Sequence, residues 1–238
     1  MKAFNRKKLK DAIRSDIKLV YQAQQEKLDL YRNTLDCFSA SIDALIQGIS
    51  IDDWLQQEKA RQIQKTKQNA IGSLHEKIMG SVAGVENLPV GNLIDIVADR
   101  LKMVAEIKNK HNTTKGNHKV QIYRDLVKAI EDKPGYTGYY VEVLPKGQKI
   151  YNEPFTPSDN QVKVRLPARE DIRVIDGKSF YSLITDHENA IYELYQEIPK
   201  IVSEIIEEEF GKKLDPDSLV ESEAFSDNFL MAYGDKFS

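Results

Sequence analysis

Apolar positions recur at helical spacing through the first part of the chain. Residues 6–47 read as helical, with Ile13, Ile17, Val20 and Tyr21 spaced for one face. Ile51-Asp52-Asp53-Trp54 marks a second helix start, with aspartates at its N-terminal end. That helix is expected to run to about Met79, with Ile63, Ala70, Ile71, Leu74 and Ile78 on its apolar side; Gly80, Gly84 and Pro89 then end the pattern. Residues 92–98 (NLIDIVA) are an apolar run broken by one acid, and residues 102–109 (KMVAEIKN) follow as a second strand-like segment. Asp99-Arg100 between them suits a tight turn, so the pair predicts a β-hairpin. Beyond the polar stretch 110–116, a helix begins near Asn117 with Val120, Tyr123, Leu126, Val127 and Ile130 inward, and Lys133-Pro134-Gly135 stops it. Residues 138–144 (GYYVEVL) form a third strand, rich in Tyr and Val. Residues 145–172 hold four of the eight prolines and predict a long excursion of loop or short hairpins. Residues 173–175 are a last strand, and 177–184 and 188–210 are helical. The order of elements predicts a mixed α/β core with an N-terminal helical region.

Composition narrows the class. The 238 residues are 41% hydrophobic and 30% charged, enough apolar material for a sizeable core. No apolar stretch reaches the ~20 residues that span a bilayer. The basic start MKAFNRKKLKD has no apolar segment after it, so no secretory signal is expected. The single cysteine, Cys37, cannot form an internal disulfide. On a helix over 31–47 it shares a face with Ala40 and Ala44 beside Phe38, Ile42 and Leu45, which predicts a buried structural thiol. The expectation is a cytoplasmic protein with no membrane partner.

Charge is unevenly distributed although the net value is only −3. Residues 100–128 carry eight Lys/Arg against Glu106 and Asp125, whereas residues 186–223 carry twelve acids against Lys200, Lys212 and Lys213. That asymmetry permits a local phosphate-binding surface on a mildly acidic chain. The acidic run 204–209 is expected to be a solvated helix face away from any nucleic acid.

Strand alternation locates candidate chemistry. Glu106 and Lys108 lie on one face of one strand, and Asp95 is the lone acid in the strand before it, within reach across a hairpin. Two carboxylates at a strand end make a hard-oxygen site suited to Mg²⁺, with the Ile107 carbonyl as a further oxygen. Lys108 can orient or help deprotonate an attacking water and stabilise a pentavalent phosphate; the sequence leaves the direction of its pKa open. Glu-x-Lys alone equally describes a same-face ion pair. The apolar setting of Asp95 and the basic loop and helix that follow favour a metal-dependent nuclease.

Asp95…Glu106-x-Lys108 resembles the PD-(D/E)XK nuclease motif, with Ile94 where a proline usually precedes the acid. The stretch EIKNKHNTTKGNHKV (106–120) is similar to a family of type II restriction enzymes that cut interrupted palindromes of the GGNCC kind, as are QKTKQNAIGSLHEKIMGS (64–81), GYTGYYVEVLPK (135–146), NEPFTPSDN (152–160) and IRVIDGKSFYSLIT (172–185). The resemblance implies a PD-(D/E)XK restriction-endonuclease-like α/β fold, a mixed central sheet flanked by helices. It implies Mg²⁺, with Mn²⁺ as a substitute, double-stranded DNA, a homodimer, a cognate DNA methyltransferase, and cleavage leaving 5′-phosphate ends and a 5′ overhang. The alternatives are another nuclease with this motif, such as a junction resolvase or repair nuclease, and a non-catalytic DNA-binding protein. The domain reading is a helical region over 1–50, a nuclease core over 51–185 with a DNA-recognition excursion at 145–172, and a helical region over 186–238.

Further residues are candidates for DNA contact or catalysis. Glu76 is a possible extra metal-site carboxylate, although on a continuous helix it lies opposite Ile63, Ile71, Leu74 and Ile78 and so faces solvent with Lys65 and Asn69. Lys110, His111, Asn112, Thr113, Thr114, Lys115 and Asn117 leave the active strand directly and suit backbone contacts. Guanine reading needs Arg or Lys donors, and the excursion supplies Lys163, Arg165, Arg169 and Arg173. His111 and His118 do not make a zinc site, since four His and one Cys provide no tetrahedral set.

Overall fold

Two parallel strands, β3 (Met103–Lys110) and β4 (Thr137–Leu144), form the centre of the molecule, joined by the helix α5 (Gly116–Glu131). The computed structural model describes residues 2–25, 35–114, 116–159 and 162–234. Before these strands come α1 (Arg6–Gln25), α2 (Cys37–Gln47), α3 (Ile51–Gly72), α4 (Leu74–Gly80), β1 (Glu86–Asn87) and β2 (Ile96–Ala98). After them come β5 (Asn152–Pro154), β6 (Ser158–Asp159), β7 (Val164–Arg165), β8 (Ile172–Asp176), α6 (Gly177–Thr185), α7 (Ala190–Phe210), α8 (Pro216–Val220) and α9 (Glu223–Tyr233). The main sheet has the order β1-β2-β3-β4-β8-β5, parallel through β3-β4-β8 and antiparallel at both edges, while β6 and β7 form a separate hairpin.

The apolar alternation of the strands splits the core into two layers. Met103, Ala105, Ile107, Val141 and Val143 face α1, α4, α6 and α7, through Leu9, Ile13, Ile78, Met79, Phe180 and Leu194. Val104, Tyr140 and Ile172 face the other way, onto Ile122, Tyr123, Leu126 and Ile130 of α5. Each fully buried side chain of this size contributes about 1.5–3 kcal/mol. The mixed sheet with helices on both faces is the expected fold, and α8 and α9 extend the C-terminal helical region.

Several boundaries differ from the sequence expectation, each for a local reason. The helix expected over 6–47 is two helices: α1 ends at Gln25, residues 26–34 lie outside the described set, and Asp36 caps α2 by accepting from the Phe38 and Ser39 N–H groups. Cys37 is therefore a first-turn residue and is exposed, not buried. The helix expected to run from 51 to Met79 is interrupted at Ser73 (φ −93, ψ 2), and α4 restarts at Leu74. The strand expected over 92–98 narrows to Ile96–Ala98, because Asn92 closes a turn onto the Pro89 carbonyl.

The acidic run 204–209 is a helix-to-helix clasp rather than a simply solvated face. Glu204 pairs with Arg6 and Lys10, Glu208 with Lys10 and Arg14, and Glu209 with Arg14 and Lys18. The basic N-terminus and the acidic segment thus neutralise each other along α1 and α7. No helix among the described residues is long and apolar enough to cross a membrane.

Candidate active site

The antiparallel register of β2 and β3 ends with Ile96 paired to Ala105, and Asp95, just before β2, is brought side chain to side chain with Glu106. Asp95 is tied to β3 twice: its N–H donates to the Ala105 carbonyl at 3.0 Å, and its Oδ2 accepts the Ile107 N–H at 2.7 Å. One carboxylate oxygen is thereby fixed by backbone, which orients the other. On β3, Lys108 Nζ donates to Glu106 Oε1 at 2.6 Å. All three side chains predicted from the sequence come together.

Glu76 joins them. Lys77 beside it is tied to Asp16 of α1 at 2.6 Å, and Ile78 and Met79 are sunk in the core. These contacts set the rotation of α4 and leave Glu76 partly buried within electrostatic reach of Asp95, Glu106 and Lys108. The expectation of a solvated Glu76 failed because the break at Ser73 resets the helical phase.

The electrostatics are those of crowded acid. Burial, followed by the charge of Asp95, pushes Glu76 up to about 7. Glu106 is raised for the same two reasons, against the pull of Lys108. Burial alone would lower Lys108, but the Glu106 hydrogen bond and the charges of Glu106, Asp95 and Glu76 outweigh it and raise the ammonium. The direction left open by the sequence is therefore upward, and Lys108 is a cation at neutral pH. One lysine set against three carboxylates leaves negative charge in excess, and that donor set suits a hard divalent cation. Among the described residues no three His, Cys, Asp or Glu side chains are gathered closely enough to enclose a metal ion. Asp95 and Glu106 would thus provide part of a shell otherwise completed by water and substrate.

Across the sheet, Lys108 is in register with Glu142 of β4, and Glu142 with Asp176 of β8. Glu142 is buried, and its oxygens accept from Lys119 Nζ at 2.7 Å and Tyr151 Oη at 2.6 Å. Lys119 also lies over the Tyr140 ring, 5.2 Å from its centre. A cleft of about 440 Å³ opens beside this network, lined by His111, Lys119, Lys146, Lys149, Tyr151 and Arg165 among others. Sequence reasoning overlooked Glu142, Lys119 and Tyr151. Yet Glu142 is a lone acid in an apolar strand, the signal that pointed to Asp95.

The other candidates separate. His111 faces the cleft, its N–H bonded to the Leu144 carbonyl at 3.1 Å. Lys110, Asn112, Thr113 and Asn117 are exposed. Thr114, expected to contact DNA, is buried in the free protein. Lys115 lies outside the described residues. Of the excursion cations, Arg165 lines the cleft and Lys163 is exposed beside it. Arg169 is instead held by both oxygens of Asp171, at 2.8 and 2.7 Å, and Arg173 by Asn152 and Glu170. Neither guanidinium is presented as a ready donor for a base edge.

An acid beside Glu-x-Lys on a hairpin, followed by a helix and a parallel strand, is the arrangement that the sequence resemblance to restriction enzymes implied. Comparison with known proteins agrees. The family model described as Eco47II restriction endonuclease matches residues 3–207. The type II restriction enzyme Eco47II of Escherichia coli is 34% identical over 207 residues, covering 85% of each chain. The type II restriction enzyme Sau96I of Staphylococcus aureus is 32% identical over 199 residues, 81% of this chain and 76% of that one. The chain belongs to the Eco47II restriction endonuclease family. It is a type II site-specific deoxyribonuclease acting on double-stranded DNA.

Proposed function

We propose that the chain hydrolyses phosphodiester bonds of double-stranded DNA with Mg²⁺, using Asp95, Glu106 and Lys108 as the centre and Glu76 as a third carboxylate. The convergence of Asp95, Glu106 and Lys108 at the open end of the β2–β3 hairpin carries this reading. Asp95, Glu106 and the Ile107 carbonyl would hold the ion. Mn²⁺, also an oxygen-seeking cation, would substitute. When bound, the ion supplies charge neutralisation at the phosphate and lowers the pKa of a coordinated water.

The protein's own residues do the rest. The backbone bond from Ile107 holds the Asp95 carboxylate still. Lys108, hydrogen-bonded to Glu106, donates to a phosphate oxygen or orients the attacking water. The cleft lined by His111, Lys119 and Arg165 receives the DNA backbone, with the exposed Lys110, Asn112, Thr113 and Asn117 as further contacts. Lys163 and Arg165 are the better placed base readers. On this reading residues 51–185 form the nuclease core, between an N-terminal helical region over 1–50 and a C-terminal one over 186–238.

The resemblance to enzymes of the GGNCC kind makes an interrupted GC-rich palindrome the proposed target, cut by a homodimer to leave 5′-phosphate ends and a 5′ overhang. A cognate DNA methyltransferase would protect the host's own copies. The test incubates the protein with long unmethylated DNA and Mg²⁺. Discrete fragments sharing one terminal sequence are expected; a smear or uncut DNA would overturn the proposal.

A further inference from the structure

The helix α2 is built as a helix but is poorly buried. Asp36 caps its first turn, and Gly48, at φ 67, closes its last by donating to the Ala44 and Leu45 carbonyls. Its only buried residues are Ala40 and Ala44, packed with Trp54 of α3. Two alanine side chains remove little apolar surface from water, far too little to offset the cost of ordering eleven residues. Short helices in water owe most of their stability to a covered apolar face.

That face exists and is open. Phe38 is 78% exposed, Ile42 61%, Leu45 83% and Ile46 79%. They occupy positions i, i+4, i+7 and i+8, one side of the helix. Ile51, 48% exposed, continues the apolar surface into α3. The sole charge within α2, Asp43, is turned to the other side, where it accepts from Trp54 Nε1 at 2.8 Å and from Gln47. The patch is therefore both apolar and uncharged.

We infer that this face of α2 is the contact by which two copies of the chain pair about a two-fold axis. The inference rests on the homodimeric reading above and specifies its interface. Three features select a second copy as the occupant. An isologous contact sets each residue against the same patch on its partner, and an uncharged face does so without like-charge repulsion. The five side chains offer an area on the order of 600 Å² per copy, close to the about 800 Å² that each partner of a stable pair buries. The Ile51 end of the patch also lies at the end of α3 remote from Glu76, and the 22 residues of that helix span about 30 Å.

The test measures mass by sedimentation equilibrium over a hundredfold range of micromolar concentrations, for the wild type and for an Ile42→Glu/Leu45→Glu double variant. The wild type should sediment as two copies. The variant should sediment as one, its dissociation constant weakened by about a hundredfold or more. Its helical content and thermal midpoint as a single copy should be preserved, because both side chains already face solvent. Phe38→Ser, a milder change, should weaken pairing without adding charge. Cleavage of both strands at one site should give way to slow nicking. A single-copy wild type overturns the inference, as does a double variant that pairs as tightly as the wild type.

The nuclease reading fails separately. A single-copy wild type that still cuts DNA into discrete fragments removes the homodimer and its interface but leaves the nuclease. A wild type that pairs through α2 but cuts nothing removes only the nuclease. Lys108→Ala should pair normally while failing to cut.

Discussion

Lys108 and Glu142 stand in register on neighbouring parallel strands, yet the Lys108 ammonium donates to Glu106, two residues back on its own strand, at 2.6 Å. The carboxylate across the sheet does not capture it because Lys119 and Tyr151 already donate to Glu142. Lys119→Met should release Glu142 to compete for Lys108 and lower kcat by about ten- to a hundredfold, with little change in KM. Lys119→Met combined with Glu142→Gln should recover part of the loss, since the amide competes weakly for an ammonium. Steady-state cleavage kinetics check this, and a double variant no faster than the single one would sink it.

Charge and geometry at Asp95 can be separated. Asp95→Asn keeps an oxygen to accept the Ile107 N–H but loses the negative charge. Asp95→Asn, Asp95→Ala and Lys108→Ala are each expected to reduce single-turnover cleavage by at least about a thousandfold while leaving DNA binding in Ca²⁺ largely intact. Glu76→Gln should cost less, about ten- to a hundredfold, because Glu76 adds to a site that Asp95 and Glu106 already define. A wild-type rate for Asp95→Asn would remove the carboxylate from the centre.

The excursion arginines should behave differently from one another. Arg165 lines the cleft, and Arg165→Ala should weaken specific DNA binding by roughly tenfold or more. Arg169 is committed to Asp171, so Arg169→Ala should leave DNA affinity nearly unchanged and lower stability by no more than about 1 kcal/mol. Binding isotherms at fixed salt alongside urea unfolding distinguish the two outcomes.

The α1–α7 clasp makes stability sensitive to acid. Hydrogen bonds from Arg6 and Lys10 hold Glu204 below its usual 4.5, Lys10 and Arg14 hold Glu208 down, and Lys18 and Arg14 hold Glu209 down. Carboxylates lowered on folding contribute stability above about 4.5, and that contribution is lost as pH falls through their lowered folded values. Melting temperature should therefore drop below pH 4.5, and added salt should reduce the drop by screening the exposed pairs. A melting profile flat with pH across that range would contradict the clasp.

Much of the site was legible because it is local. The spacing of Glu106 and Lys108 on one strand, and the tight connection that returns the chain from Asp95, fix three functional groups within fourteen residues. A continuous helical phase through Gly72 and Ser73 puts Glu76 on the solvent side, whereas the helix breaks there and restarts at Leu74. Glu142 was passed over because nothing in its own strand reveals that parallel pairing across α5 sets it beside Lys108. Arg169 and Arg173 read as free donors since their partners, two or three residues away or across an edge pairing, depend on the shape of the excursion.

The sequence by itself determined the α/β core, the hairpin and the Asp95, Glu106 and Lys108 triad, because apolar period and short-range spacing follow from backbone geometry alone. Tertiary structure decided what depends on contacts between distant segments. It brought Glu76 within electrostatic reach of Asp95, Glu106 and Lys108 and set the upward shift of Lys108 through its acidic neighbours. It also joined the basic N-terminus to the acid of α7 and left the apolar side of α2 facing outward. Burial and pairing are properties of neighbours in space, and a one-dimensional pattern carries the faces of each element but not which of them meet.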